Sequence, residues 1–274
     1  MLIETLSTFP HMYDSVMGES MMKRAQEKGI LEFRAHDLRD WTHDRHRTTD
    51  DDPYGGGAGL VMKCDPIFEA VEAILGKEFV KAKLAAAPPQ GESQQRSSAA
   101  PQIVFLAPQG RPFDDAYADK LAAADHLLFI CGHYEGIDER VYTLADHVIS
   151  LGDYVLTSGE LASMVVIDAA VRKLPGVLGA AEGPVDESFT SGLLEYPQYT
   201  RPADFRGMRV PEVLTSGNHA AIARWRREQS LARTAAARPD LIAAAEAAGR
   251  LTPADQKFLK LLEPAPTGAA EGVS

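Results

Sequence analysis

The chain has 274 residues, of which 45% are apolar and 24% charged, a composition typical of globular proteins and not of disordered or fibrous ones. No run of 18 apolar residues is present, and Glu4 interrupts the apolar N-terminal stretch. We therefore expect neither a membrane span nor an export signal, and a cytoplasmic location. Cys64 and Cys131 lie far apart, which excludes a disulfide framework and a cysteine-rich zinc site.

The formal net charge of −11 argues against a nucleic-acid partner, because phosphate binding usually requires a basic surface. This average hides a local asymmetry. Residues 201–260 contain eleven Lys and Arg against six Asp and Glu, a balance of +5, so the remainder carries −16. On charge spacing alone, a solvated helix face is the favoured interpretation of this basic region. The basic cluster consists of Arg224, Arg226, Arg227, Arg233 and Arg238.

Short apolar runs alternate with helical patterns up to about Lys173, which predicts an α/β fold with a mostly parallel sheet. Pro10 is expected to open a helix that Gly29 closes, and Asp65 to begin another that ends near Gly76. The predicted strands are residues 2–6, 30–33, 103–107, 126–131 and 147–150.

Residues 84–101 have a low-complexity composition of Ala, Pro, Gln, Ser and Gly, which predicts a long mobile loop.

The part of the chain beyond Pro175 has a different character, and we expect no strands there. Asn218 should cap a helix that runs to about Ala237, Pro239 should open a short one, and residues 252–255 form a capping box. We predict a domain of residues 1–178, a linker of residues 179–187 and a small helical C-terminal domain of residues 188–274.

A glycine-rich stretch at residues 53–59 lacks the Lys-Ser/Thr of a P-loop and fits G-x-G-x-x-G poorly, so it supports neither ATP nor NAD binding. In isolation we interpret it as a set of flexible turns. His36, His43 and His46 precede it among several aspartates. Because no metal-ligand spacing is present, we predict a polar surface loop and no metal site.

Polar turns that contain glycine follow three of the predicted strands, at residues 106–110, 132–140 and 151–160. An open α/β sheet binds ligands at the carboxyl ends of its strands, and glycine lets backbone amides approach a ligand closely. Glu135 could accept a hydrogen bond from a hydroxyl or ammonium group. The three turns together predict a ligand pocket, in preference to three unrelated surface turns.

Six strings occur in order along the sequence: D-D-P-Y-G-G-G-A-G, C-G-H-Y-E-G-I-D-E-R, G-D-Y-V-L-T-S-G-E-L, P-G-V-L-G, S-G-L-L-E-Y-P-Q-Y-T-R-P and R-W-R-R-E-Q-S-L-A-R-T. With these strings the chain closely resembles the bacterial tRNA (guanine-N1)-methyltransferase family of knotted methyltransferases, in order from Met1 to about Leu262. The sequence departs from the family pattern at residues 84–101, which look like an insertion. It departs also at Ser158 and Ala107, where many members have glycine and serine.

The resemblance implies a deep trefoil-knotted methyltransferase domain, an obligate homodimer with the active site at the subunit interface, and S-adenosylmethionine held by the knot loops. It implies methylation of N1 of the guanosine 3′ to the anticodon, position 37, in tRNA. The resemblance also suggests Mg²⁺ as a second cofactor, although no cluster of metal ligands in this sequence requires it. The implied cofactor-binding residues are Phe105, Leu106, Ala107, Pro108, Gly132, Tyr134, Glu135, Ile137, Leu151, Gly152, Asp153, Tyr154, Val155, Leu156, Ser158 and Gly159.

Guanine N1 carries a proton at neutral pH, so its methylation needs a general base and a cation that offsets charge on O6. By resemblance the cation is Arg172. The base is Glu187, which has the family register, or Asp186, which has the usual side-chain length. For tRNA binding we expect the anticodon stem-loop to meet the basic helix, where Trp225 is expected to pack and not to stack on a base. The expected tRNA-binding residues are Arg224, Arg226, Arg227 and Arg233.

Three other functions remain to be weighed against this one. A ribose 2′-O-methyltransferase of the same superfamily would leave the base unmodified, so nucleoside digestion of the product separates the two. A non-catalytic RNA-binding adaptor would need only the basic helix and no S-adenosylmethionine. A dinucleotide-dependent oxidoreductase is disfavoured by the missing G-x-G-x-x-G.

Overall fold

The computed structural model of the protein describes residues 1–85, 99–178 and 187–262. Most of the predicted 84–101 loop and of the 179–187 linker, together with the base candidate Asp186, lies outside the described residues. The chain divides into two compact units, Met1–Ala181 and Glu182–Ser274. Within the described ranges, none of the helices is both long enough and apolar enough to cross a membrane.

The first unit is built on a five-stranded sheet in which every pairing is parallel. Its strands are β1 Leu2–Ser7, β2 Glu32–Asp37, β5 Gln102–Pro112, β6 His126–Ile130 and β7 His147–Ser150, and two short strands, β3 Asp50–Asp51 and β4 Val61–Met62, form an antiparallel pair. The strand order is β2-β1-β6-β5-β7. This arrangement confirms the predicted α/β fold with a parallel sheet.

Helices cover both faces of the sheet, which explains why its central strands are apolar without alternation. The helices are α1 Asp14–Met17, α2 Ser20–Glu27, α3 Cys64–Leu75, α4 Lys77–Ala85, α5 Asp115–Ala122 and α6 Gly159–Val171, with 3-10 turns at Pro10–Tyr13, Leu38–Trp41 and Glu139–Leu144. Along β6, Leu127 and Phe129 pack into one core with α2, α5 and α6, whereas Leu128 and Ile130 pack into a second core with α3 and α4.

The single helix predicted from Pro10 to Gly29 is wrong. The segment forms a 3-10 turn, α1 and α2, because Gly18 ends α1 and Glu19 is extended, with φ −129° and ψ 163°. Glycine is a poor helix former, so it supplies the break. The helix expected from Asp65 to Gly76 is confirmed as α3, and Gly76 closes it with φ +94°.

Strand β5 continues to Pro112, five residues beyond its predicted end at Ala107. Its pairing with β7 shifts register between Leu106 and Arg111, and the backbone at Gly110 then passes so close to β7 that a Cβ there would lie 2.5 Å from the carbonyl carbon of Ile149. The extension therefore depends on a glycine that allows close approach of two backbones.

The second unit contains α7 Glu212–Thr215, α8 His219–Ala237, α9 Pro239–Ala247 and α10 Pro253–Leu262. The predicted cap of α8 is confirmed, since Asn218 accepts from the backbone N–H of Ala221 at 3.1 Å. The capping box is confirmed as well, through reciprocal bonds between Thr252 and Asp255. The expectation of no strands is wrong, because a short hairpin joins β8 Asp204–Phe205 to β9 Met208–Arg209.

Candidate functional site: a cavity at the carboxyl ends of three strands

The carboxyl ends of β6 and β7 open onto one cavity of about 320 Å³, where ligands bind in open α/β sheets, and β5 lines the same cavity where its register shifts. We call the three segments that line it the β5 segment (residues 106–109, which lie inside the strand and do not form the predicted turn), the β6 turn (residues 132–137) and the β7 turn (residues 151–158). Fourteen of the sixteen residues expected to bind the cofactor line this cavity: Leu106, Ala107, Pro108, Gly132, Tyr134, Glu135, Ile137, Leu151, Gly152, Tyr154, Val155, Leu156, Ser158 and Gly159.

The other two expected residues lie elsewhere. Phe105 is fully buried in the core, where its ring lies 4.9 Å from that of Tyr142. Successive side chains of a strand point to opposite faces, so Leu106 faces the cavity and its neighbour Phe105 does not. Asp153 is exposed and does not line the cavity.

Nine further residues line the cavity that were not individually expected to bind the cofactor. Gln109, His133 and Thr157 are among those that lie within the segments 106–110, 132–140 and 151–160, which the sequence predicts to form a pocket, and that position was the signal that could have identified them. Tyr142 comes from the 3-10 turn Glu139–Leu144, which no sequence pattern marked. The remaining additions are Gly136, Glu139, Ile149, Ser150 and Ala162.

A backbone hydrogen bond joins the β6 turn to the start of α6, directly after the β7 turn. The backbone N–H of Gly159 donates to the carbonyl of Gly132 at 2.8 Å, and a Cβ at Gly159 would lie 2.7 Å from the nitrogen of Gly132. Only glycine allows this approach. Ser158, by contrast, has an extended backbone with φ −158° and ψ 155°, a conformation open to any residue, which explains how serine stands where many family members have glycine.

The glycine-rich stretch at residues 53–59 leads directly into a segment that contacts the β6 turn. The backbone N–H of Glu135 donates to the carbonyl of Leu60 at 3.1 Å, and that of Met62 donates to Gly136 at 3.0 Å. A Cβ at Gly59 would lie 2.4 Å from the Glu135 side chain. The stretch does form turns, in which Gly55, Gly56, Gly57 and Gly59 all have positive φ, and its last glycine also packs against the cavity wall.

A buried polar network lies behind the β6 and β7 turns. The Ser7 hydroxyl donates to Glu160 Oε1 at 2.5 Å and accepts from the backbone N–H of Phe9 at 2.8 Å. The Tyr13 hydroxyl lies 3.1 Å from the sulfur of Cys131. Burial, followed by the negative charge of Glu160, raises the pKa of the Cys131 thiol to about 12, so this cysteine is a protonated and unreactive core residue.

Arg172, the residue expected to offset charge on O6, does not line the cavity. Arg172 is the C-cap of α6, and its backbone N–H donates to the carbonyl of Asp168 at 3.2 Å. Ala162, in the first turn of the same helix, lines the cavity, and the ten positions from Ala162 to Arg172 correspond to about 15 Å along the helix axis. Glu187 is half-buried at the start of the described part of the second unit.

The four arginines expected on the basic helix differ in their surroundings. Arg227 donates two hydrogen bonds to Asp255, at 3.1 and 2.9 Å. This hydrogen bonding lowers the pKa of that largely buried carboxyl. Arg226 lies over the ring of Tyr196 at 4.8 Å. The exposed Arg224 pairs with Glu228 at 2.8 Å, and the exposed Arg233 donates to the carbonyl of Glu195 at 3.1 Å.

Trp225 is half-buried, and its ring lies 6.3 Å from that of Tyr199. Its packing within the second unit therefore has a partner from a segment outside the helix. Arg227 likewise has its partner on α10, 28 residues away. Charge spacing along one helix cannot distinguish such a tertiary ion pair from a solvated arginine.

Two of the three histidines that precede the glycine-rich stretch pair with separate carboxylates. His36 Nε2 lies 2.9 Å from Glu4 and His43 Nε2 lies 2.7 Å from Glu69. Across the described residues, no group of three or more His, Cys, Asp or Glu side chains could hold a metal ion.

Comparison with known proteins gives a consistent result. Residues 1–244 match the family model of the tRNA (guanine-1)-methyltransferase TrmD. The chain is 51% identical over 260 residues to a tRNA (guanine-N(1)-)-methyltransferase of Symbiobacterium thermophilum, which covers 95% of this chain and 97% of the relative. Proteins of the same name from Limosilactobacillus reuteri and Geobacillus kaustophilus are also 51% identical, over 90% and 88% of this chain and 91% of each relative.

Proposed function

The chain belongs to the tRNA (guanine-1)-methyltransferase family, and on that premise we propose that it transfers a methyl group from S-adenosylmethionine to N1 of the guanosine at position 37 of tRNA. The observation that carries the proposal is the 51% identity over 95% of the chain to a relative named for this reaction. A tRNA substrate also agrees with the expected cytoplasmic location.

The cavity fits S-adenosylmethionine. Its volume of about 320 Å³ lies within the range of small-molecule sites. Glycines in the β6 and β7 turns leave backbone groups accessible to an adenine and a ribose, and Glu135 offers a carboxylate to hydroxyl or ammonium groups. When bound, the cofactor supplies an electrophilic methyl group on a positively charged sulfur. The protein's principal task is then to align this donor with the acceptor nitrogen.

The acceptor side requires two groups of the chain. Glu187 or Asp186 is proposed to accept the N1 proton of guanine, which frees the nitrogen lone pair for attack on the methyl carbon. Arg172 is proposed to donate to O6, where negative charge develops as the proton leaves. Both base candidates lie in or beside the segment that joins the two units.

A second copy of the chain resolves the separation between the cavity and Arg172. Because α6 holds them about 15 Å apart, we propose a homodimer in which one copy supplies the cavity and the other supplies Arg172. Leu161 and Val165 support this arrangement, since they lie one turn apart on α6 and are 45% and 54% exposed, an apolar surface that a partner would cover. The trefoil knot implied by the family resemblance is part of the same proposal.

The second unit is proposed to bind the anticodon stem-loop of tRNA through the exposed arginines Arg224 and Arg233 of α8. Arg226 and Arg227 have partners within the unit, so we assign them smaller direct contributions to phosphate binding. The proposal assigns no ligands to Mg²⁺. Its effect on the reaction can be measured by adding a chelator to the assay.

The proposed function is tested by methylating unmodified tRNA transcripts with labelled S-adenosylmethionine and digesting the product to nucleosides. We expect the label in 1-methylguanosine from a transcript with G37, and none from a matched transcript with A37. Label in a ribose-methylated nucleoside would instead identify a ribose methyltransferase. Binding of tRNA without transfer would identify an RNA-binding adaptor.

A further inference from the structure

Glu160 is a fully buried glutamate in the first turn of α6. Only one of its carboxylate oxygens has a partner, the Ser7 hydroxyl at 2.5 Å. The other oxygen, Oε2, is buried without a hydrogen bond among the described residues. Within that part of the chain, Glu160 also forms no ion pair with a Lys, Arg or His.

This arrangement is unfavourable for stability. Burying a carboxylate costs free energy unless the charge is paired, and an orphaned oxygen adds the cost of its lost hydration. A glutamine of the same shape could accept from Ser7 without burying a charge. The presence of glutamate therefore indicates a role for the negative charge itself.

The charge of Glu160 lies close behind the cavity wall. Its chain neighbours Ser158, Gly159 and Ala162 all line the cavity. The residue directly before Gly132 is Cys131. Burial raises the pKa of its thiol, and the negative charge of Glu160 raises it further. In a dry interior such a charge is poorly screened, so it acts beyond the atoms that it touches.

S-adenosylmethionine and its demethylated product differ by one methyl group and one positive charge on sulfur. We propose that the buried carboxylate of Glu160 is a specificity-determining group that favours the positively charged methyl donor over the neutral product, without touching either. This inference rests on the proposed use of S-adenosylmethionine. It assigns to Glu160 the discrimination between substrate and product forms of the cofactor, which assists release of the product after transfer.

The test compares the dissociation constants of S-adenosylmethionine and S-adenosylhomocysteine by calorimetry, with wild-type protein and Glu160→Gln. We expect the variant to bind the donor about tenfold more weakly, equivalent to about 1.4 kcal/mol, and the product nearly unchanged. Glu27→Gln is the matched control. It removes one negative charge from an exposed position on α2, and both constants should stay at their wild-type values.

Ser7→Ala separates charge from positioning, because it removes the hydrogen bond and leaves the carboxylate. We expect it to weaken both ligands by a similar factor. Equal weakening of both ligands by Glu160→Gln, or no change in either, would overturn the proposal. If Glu160→Gln does not fold, Glu160→Met takes its place, since apolar side chains often replace buried charges without loss of stability.

Failure of both neutral variants to fold would assign the charge to the fold and overturn its assignment to the cofactor. The proposed function itself is tested by the wild-type protein. If it bound neither ligand, the proposed use of S-adenosylmethionine would be wrong, whatever the variants did.

Discussion

The two ends of α6 have different surroundings and different expected tasks. At its start, Gly159 docks against Gly132 and the first turn lines the cavity. At its end, Arg172 caps the helix about 15 Å farther along the axis from Ala162. A rigid helix therefore holds the proposed cofactor site and the proposed O6 partner apart within one copy. An intact cavity is therefore not by itself an intact active site.

This contrast predicts two kinds of variant. Substitutions at the start of α6 should change the affinity for S-adenosylmethionine, because the β6 and β7 turns are fastened there. Substitutions among the groups that act on guanine should change the rate of methyl transfer and leave cofactor affinity unaltered. A variant that altered both quantities equally would weaken the distinction.

The largest effect is expected for the general base. Glu187→Gln should reduce the single-turnover rate of methylation by about 10²- to 10⁴-fold, with normal binding of S-adenosylmethionine, because the amide cannot accept the N1 proton. Asp186→Asn should do less. Rapid-quench measurements with saturating cofactor distinguish the two, and a greater loss in Asp186→Asn would assign the base to Asp186.

The next effect concerns the start of α6. Gly159→Val should weaken S-adenosylmethionine binding by about 100-fold or more, since a Cβ at Gly159 lies 2.7 Å from the backbone nitrogen of Gly132. Calorimetry measures the affinity. Gly76→Ala is the control, because Gly76 has φ +94° but no atom within 4 Å of an added Cβ, so it should cost some stability and leave cofactor affinity normal. Wild-type affinity in Gly159→Val would show that the docking is dispensable.

The amino end of β7, opposite the end that opens onto the cavity, should influence stability and not cofactor affinity. His147 begins β7, where Nδ1 lies 2.9 Å from the Tyr117 hydroxyl and Nε2 lies 2.8 Å from Gln102 Oε1. Burial lowers the pKa of His147 to about 4. The unfolded chain binds this proton near pH 6.5, so between pH 6.5 and 4 acidification favours unfolding, by up to about 3 kcal/mol.

Denaturant titrations of wild-type protein and His147→Gln across this pH range isolate that contribution. The stability of the wild type should fall more steeply on acidification than that of the variant, and cofactor affinity at neutral pH should be the same in both. Parallel pH profiles would show that His147 titrates equally in the folded and unfolded states.

The smallest effects are expected on α8 in the second unit, where the same separation of roles can be tested. Arg233→Ala should lower the salt dependence of tRNA binding by about one unit without changing thermal stability. Arg227→Ala should cost about 1–2 kcal/mol of stability, because it removes the ion-pair partner of the buried Asp255 carboxylate. Filter binding at several salt concentrations and thermal melting provide the two readouts. If Arg227→Ala instead lowered the salt dependence and Arg233→Ala lowered the stability, phosphate binding would be assigned to Arg227 and the structural role to Arg233.

The sequence was sufficient to predict those elements whose signals are local. The apolar runs of β6 and β7 predict buried strands, and Asn218 and Thr252 mark helix starts through caps that involve residues only three positions away. Much of the cavity followed from local signals too, since the β6 and β7 turns contain polar residues and glycine directly after a strand, whereas the third segment, residues 106–109, lies within β5.

Other features depend on contacts between distant residues, and sequence patterns do not record these. The continuation of β5 depends on the approach of Gly110 to Ile149. The ion pair of Arg227 depends on Asp255, and the orphaned oxygen of Glu160 depends on burial by several elements at once. The family resemblance included Phe105 because it indicates a stretch of chain, whereas the direction of each side chain is a property of the folded strand.

The most direct test of the two-copy active site is a mixed dimer of Gly159→Val and Arg172→Ala, co-expressed with different affinity tags and purified through both. Each variant alone should be inactive. In the mixed dimer, one site combines an intact cavity with an intact Arg172 from the other copy, so about half of the wild-type methylation rate should return. A mixed dimer as inactive as its parents would show that the cavity and Arg172 act within the same copy.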